Sequence, residues 1–113
     1  MLKLVTAILK PHKFDDVKEA LKKDGITGLT VTEVKGFGRQ GGKTETFRGS
    51  EYTVELLPKI KIELIVDEAQ VAKAIETITA AGQTGKIGDG KIWVLGVDEL
   101  VRIRTSETGV EAI

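Results

Sequence analysis

The 113-residue chain contains no cysteine and a single histidine, His12. The first absence excludes a disulfide framework and thiol chemistry, and the second leaves too few soft ligands for a zinc cage. Positive and negative residues balance at 17 each, so no global field draws the chain to nucleic acid or anionic lipid, and any anion site must be local. Aromatic residues are few, five in all. No apolar run approaches membrane-spanning length, and the opening Met-Leu-Lys-Leu-Val-Thr lacks the basic, apolar and small-residue pattern of a signal peptide. The expectation is a cytoplasmic protein of one domain, residues 1–113, small enough to profit from association with copies of itself.

The most specific pattern present is Gly85-Lys86-Ile87-Gly88-Asp89-Gly90-Lys91. It fits the glycine-rich phosphate-loop spacing, but a conventional P-loop places Ser or Thr after its Lys to hold magnesium and continues into a helix. Here Ile92 follows, and Lys91 to Leu95 reads as a strand. Either the match is accidental or these glycines wrap a nucleotide in a different fold, with the metal held from elsewhere; the rest of the chain favours the second reading.

Residues 2–10 form a β-branched, apolar run that Pro11 ends, because proline cannot donate to a ladder. From about 13 to 24, Phe14, Val17, Ala20 and Leu21 recur at helical spacing. Asp15 and Asp16 occupy the first turn, Lys22 and Lys23 the last, and Gly25 lies just beyond. Ile26 to Gly36 is strand-like, and residues 59–66 alternate cleanly. Asp67 reads as a helix N-cap with Gln70 three residues on, followed by a stripe of Val71, Ala74, Ile75 and Ile78 up to Gly82. A fourth strand covers about 91–97, and Val101 to Arg104 suits a short fifth.

This order predicts an α+β domain of the ferredoxin-like doubled βαβ type: a four-stranded antiparallel sheet with two helices on one face. The first and fourth strands are apolar on both sides, Leu4 and Ile8 opposing Val5, Ala7 and Leu9, and Trp93, Leu95 and Val97 opposing Ile92 and Val94. A face left to water should not read so, which predicts a homo-oligomer. Between strands two and three lies a long segment, Phe37 to Leu57, without strand or helix periodicity. A compact domain rarely carries such a loop unless it is functional or disordered, and the functional reading is favoured by Phe47 and Tyr52, which flank an arginine near its tip.

At these residues the chain resembles the PII nitrogen-regulatory signal-transduction family. The resemblance is carried by Thr30 to Gln40, by Arg48-Gly49-Ser50-Glu51-Tyr52, by Thr84 to Ile92 with Arg102-Ile103-Arg104-Thr105, and by Ile8-Leu9-Lys10-Pro11. It implies a homotrimer that binds ATP or ADP in clefts between neighbours, and 2-oxoglutarate together with Mg-ATP. It further implies regulation of ammonium transporters and nitrogen-assimilation enzymes or kinases through the long loop, and hence recruitment to the membrane through a transporter without insertion.

Carried over residue by residue, the resemblance puts Thr30, Gly38, Glu63 and Ile65 on the adenosine side and Gly88, Asp89, Gly90, Lys91, Arg102 and Arg104 around the phosphates. Gln40 would reach magnesium and Lys59 the distal carboxylate of 2-oxoglutarate. On the residues' own terms, Gly88 and Gly90 let backbone N–H groups approach phosphate, and Arg102 and Arg104 sit two apart in an extended segment so that both face one phosphate chain. Phe47, Arg48 and Gly49 fall in the partner-binding loop. Tyr52 and Ser50 align with hydroxyls that modifying enzymes nucleotidylate or phosphorylate in some members. The loop departs from the family pattern at Phe47 and at Gly41-Gly42, and His12 replaces a common Phe.

Rival readings are an RNA-binding module of RRM-like topology and a PII-like sensor of another metabolite. Lys35-Gly36-Phe37-Gly38 begins like a ribonucleoprotein motif, but Arg39-Gln40-Gly41 replaces the aromatic continuation that would stack bases. No set of residues for nucleophilic catalysis or for orienting a water is evident, so the chain reads as a non-enzyme with at most weak ATP hydrolysis.

Overall fold

The computed structural model describes residues 1–38, 43–47, 50–54 and 56–113, the two middle segments at the level of their backbone. Strands β1 (Leu2–Leu9), β2 (Thr30–Gly36), β5 (Leu57–Asp67) and β6 (Ile92–Val97) form one antiparallel sheet in the order β2-β5-β1-β6. Helices α1 (Phe14–Lys23) and α2 (Val71–Gly82) cover one face. This is the doubled βαβ arrangement that the alternation of periods predicts.

Register fixes the faces. Val5 opposes Leu64 and Val94, and Ala7 opposes Ile62 and Ile92, so these side chains share the helix-covered side. They meet Val17 and Leu21 of α1 and Ala74 and Ile78 of α2 in one core. Ile75, expected in the same stripe, is 36% exposed, because the stripe α2 buries is narrower than its apolar pattern. The capping signal at Asp67 holds: its backbone N–H donates to Gln70 Oε1 at 3.2 Å, and a 3₁₀ turn over Glu68–Gln70 leads into α2.

The opposite face carries Leu4, Thr6 and Ile8 of β1, Ile65 of β5, and Trp93 and Leu95 of β6, by the alternation of the same registers. No helix covers it, and Trp93 and Leu95 are 43% and 56% exposed. The apolar second face read from the sequence is therefore present, exposed at Trp93 and Leu95 and partly buried at Leu4, Ile8 and Ile65 in the single chain.

Three boundaries differ from expectation. Strand two starts at Thr30 rather than Ile26, because Gly25 takes φ +87° to end α1 and the Ile26 N–H donates back to Leu21 O, leaving the ladder to begin at Thr30 opposite Glu63. The segment expected to lack strands contains β3 (Lys43–Phe47) and β4 (Ser50–Val54), which pair antiparallel as a separate hairpin; its short polar strands carry no apolar alternation to betray them. Val101 to Arg104 is not a fifth strand. It is a turn closed by a bridge between Val101 and Thr108 and by the Ser106 N–H donating to Arg102 O at 2.8 Å, local bonds that take up the backbone groups a ladder would need.

Ile62 is fully buried between the sheet and both helices. Ile62→Ala should cost about 2–5 kcal/mol of unfolding free energy, read as a lower urea midpoint at unchanged slope.

Candidate functional site

β6 follows the glycine loop directly, and the loop is anchored on the end of β1. The Ile8 N–H donates to Lys91 O at 3.0 Å, and a Cβ built on Gly90 would lie 1.8 Å from Ile8 O. Gly90 is thus required by backbone packing against β1, a different reason from the phosphate approach expected of it. Gly85 and Gly88 take φ of +82° and +102°, which side chains other than glycine rarely adopt.

The neck of the loop is tied by Asp89. Its Oδ2 accepts from the Thr84 and Gly85 backbone N–H groups, both at 2.8 Å, and its Oδ1 from the Thr84 hydroxyl at 2.7 Å. Lys10 reaches in from the end of β1, 3.5 Å from Asp89 Oδ1, and donates to Thr84 Oγ1 at 3.1 Å. The Thr84 hydroxyl, the two backbone donors and the Lys10 ammonium hold the Asp89 carboxyl far below the usual carboxylate range, against a desolvation that opposes them. Lys10 and Thr84 were not singled out as site residues from the sequence. The five-residue spacing from Thr84 to Asp89 is a local signal, but Lys10 is distant in the chain and only the fold brings it there.

A cavity of about 490 Å³ opens beside the loop, lined by Lys86 to Lys91, by Ile8 and Trp93, and by Gly36, Phe37, Gly38, Leu57 and Lys59. Lys59 Nζ donates to Gly88 O at 2.8 Å. Burial, and then the nearby Lys10 charge, lower the Lys59 pKa, with Asp89 opposing. The cavity thus brings together Gly38, Lys59, Gly88, Asp89, Gly90 and Lys91 of the expected residues.

It does not bring in the others. Thr30, Glu63 and Ile65 line a second cavity of about 580 Å³, with Leu100, Ala112 and Ile113. Arg102 and Arg104 line neither. They occupy a turn instead of an extended segment, so the expected side-by-side arrangement does not hold. Arg102 donates to Glu107 Oε1 at 2.9 Å and to Ile113 O at 2.7 Å, whereas Arg104 is exposed. Gln40, Arg48 and Gly49 lie outside the described residues, as do the side chains of Phe47, Ser50 and Tyr52. Among the described residues no three His, Cys, Asp or Glu side chains converge as a metal cage, and no helix is long and apolar enough to cross a membrane.

The Gly90 contact gives a direct check. Gly90→Ala should separate the loop from β1 and lower the thermal midpoint by several degrees, whereas Gly96→Ala, where nothing lies within 4 Å of an added Cβ, should change it far less.

Comparison with known proteins bears on the whole chain. Residues 2–107 match the family model described as nitrogen regulatory protein P-II. The nitrogen regulatory protein P-II of Rhodospirillum rubrum is 58% identical over 112 residues, 99% of this chain and 100% of that one. The corresponding protein of Synechocystis is 57% identical over the same shares. A crystal structure of Arabidopsis thaliana PII bound to citrate superposes with a TM-score of 0.82 at 38% identity, covering 99% of this chain and 92% of that one. With the sheet order, the glycine loop and the long segment between β2 and β5 already in place, the chain belongs to the P-II family of nitrogen regulatory, signal-transducing proteins.

Proposed function

We propose that this protein senses ATP or ADP together with 2-oxoglutarate at sites shared between subunits of a homotrimer, and passes the result to nitrogen-metabolism targets through residues 37–57. The observation that carries this reading is the division of the expected nucleotide residues. Gly38, Lys59 and Gly88 to Lys91 surround one cavity, Thr30, Glu63 and Ile65 another, and Arg102 and Arg104 stand apart from both. One chain cannot close a nucleotide between these sets. A neighbouring copy can supply the second set to the first, and the partly exposed apolar sheet face of Leu4, Ile8, Trp93 and Leu95 offers the surface for that association.

The chemistry of the glycine-loop cavity suits the ligands. Backbone groups around Gly88, the Lys91 ammonium and arginines from the neighbour would neutralise a phosphate chain, and Lys59 would meet a carboxylate. Magnesium, a hard cation, would be held through the phosphates, the keto and carboxylate oxygens of 2-oxoglutarate, and the Gln40 amide oxygen. Arabidopsis PII bound to citrate is a relative carrying a small polycarboxylate, which agrees with a carboxylate effector here. Arg48, with Phe47 and Gly49, would engage an ammonium transporter or a regulated enzyme or kinase, and Ser50 or Tyr52 would serve a modifying enzyme. The same reading makes the protein a cytoplasmic regulator with no nucleic-acid partner and no catalytic turnover beyond weak ATP hydrolysis.

Arg104→Ala and Lys91→Ala should each weaken ATP by roughly thirtyfold, about 2 kcal/mol, in calorimetry. Co-refolded mixtures of the two variants should recover tight sites, because a mixed interface can pair an intact glycine loop with an intact arginine. Sedimentation should show one trimeric species. A well-folded monomer, or mixtures no better than either variant, would refute the shared site.

Gln40→Ala should leave ADP affinity nearly unchanged but remove most 2-oxoglutarate binding. Wild-type ATP and 2-oxoglutarate must strengthen each other by one factor, and the variant should lose it in both directions of titration. Retained mutual enhancement would reject the role given to Gln40.

A further inference from the structure

Two consecutive backbone N–H groups, those of Thr84 and Gly85, converge on one oxygen of Asp89 at 2.8 Å each, and Gly85 takes φ +82° there. Successive N–H groups in such a turn make an anion-binding concavity, the same device that holds phosphate in other glycine loops. In this loop the concavity is filled from within, by a carboxylate five residues on. Its counter-charge is also resident: the Lys10 side chain is 11% exposed and lies 3.5 Å from Asp89 Oδ1. An ammonium so enclosed needs a paired charge, and Thr84 Oγ1 supplies the accompanying hydrogen-bond acceptor. Lys59 is the other cation near Asp89, but its ammonium is directed to Gly88 O. The two donors of the filled concavity also lie outside the cavity lining, which Asp89 itself joins. Lys86 to Lys91 line the cavity beside the loop, while Thr84 and Gly85 do not.

We propose that Asp89 is a built-in anion that occupies the N–H concavity of Thr84 and Gly85, with Lys10 as its counter-ion, and so folds the glycine loop before ligand arrives and leaves the Gly88–Lys91 half to the phosphate chain. Asp89, Thr84 and Lys10 are then positioning residues: none touches the phosphates through its side chain. The assignment of the second half of the loop rests on the nucleotide reading above, whereas the prefolded loop does not. The proposal also says what a loop lacking the carboxylate becomes. It exposes two N–H groups and an ammonium, a vacant site for a small carboxylate.

The test is Asp89→Ala in the full chain, with amide hydrogen exchange at Thr84 and Gly85 measured without nucleotide and ATP affinity measured by calorimetry. Exchange at these two amides should accelerate at least tenfold while that of Ile62 and Val5 in the core stays protected, and ATP should bind at least tenfold more weakly. Sodium formate, but not sodium chloride at equal ionic strength, should restore both, and should do nothing to the wild type. Adding Lys10→Met to Asp89→Ala should abolish the formate effect. Unchanged exchange in Asp89→Ala, or formate no better than chloride, would overturn the proposal. Should Asp89→Ala not fold, Asp89→Asn keeps the shape but removes the charge, and slow exchange at Gly85 in that variant would overturn it equally. If the wild type binds no ATP, the nucleotide reading falls and the exchange measurements still decide whether Asp89 folds the loop.

Discussion

The backbone of Ile8 and the backbone of Gly90 lie so close that no side chain fits between them, and the Ile8 N–H is spent on Lys91 O. This contact fastens the glycine loop to one of the two central strands of the sheet, since β1 pairs with β5 and β6 and packs in the core that both helices cover. The loop therefore inherits the rigidity of the best-buried part of the molecule. The same strand end, two residues further on, delivers Lys10 to Asp89, so one anchorage both places the loop and charges its neck. Lys59 comes from β5, the other neighbour of β1, and reaches the carbonyl of Gly88. Three elements thus converge on eight residues of irregular backbone.

A ferredoxin-like sheet with helices on one side always leaves a second side to be accounted for. In this chain that side is divided in character. Its β1 and β6 portion is apolar, with Leu4, Ile8, Trp93 and Leu95, while its β5 and β2 portion carries Lys61, Glu63, Thr30 and Thr32. A surface that changes from apolar to charged across four strands suits an interface with ligand space at its margin, which is the arrangement the proposed shared site requires. Burial of the apolar portion would come from copies of the chain and not from more helices.

The fold was legible because its signals are local. Apolar alternation in residues 59–66, the helical spacing of Val17 and Leu21, and the Asp67 to Gln70 cap each depend on neighbours a few residues away. What was not legible depends on partners far along the chain or on tertiary context. The hairpin of β3 and β4 has strands too polar to show a buried face. Val101 to Arg104 has strand-like composition, but its backbone bonds locally, the Arg102 N–H to Glu107 O and the Ser106 N–H to Arg102 O, and the chain turns instead. At the site, the glycine spacing located the loop, and the resemblance located most of its lining. The reason for Gly90 and the inward turn of Asp89 needed the third dimension, because both answer to β1, some eighty residues earlier in the chain.

Gly36 and Leu57 are partners on the last rung of the β2–β5 ladder, so the intervening excursion leaves the sheet and returns to it at a single point. Both of those residues also border the glycine-loop cavity. The two feet of the excursion thus border one cavity together, like the base of a pair of tweezers. In the proposed function, that rung is where the small-molecule site and the partner-binding segment share backbone.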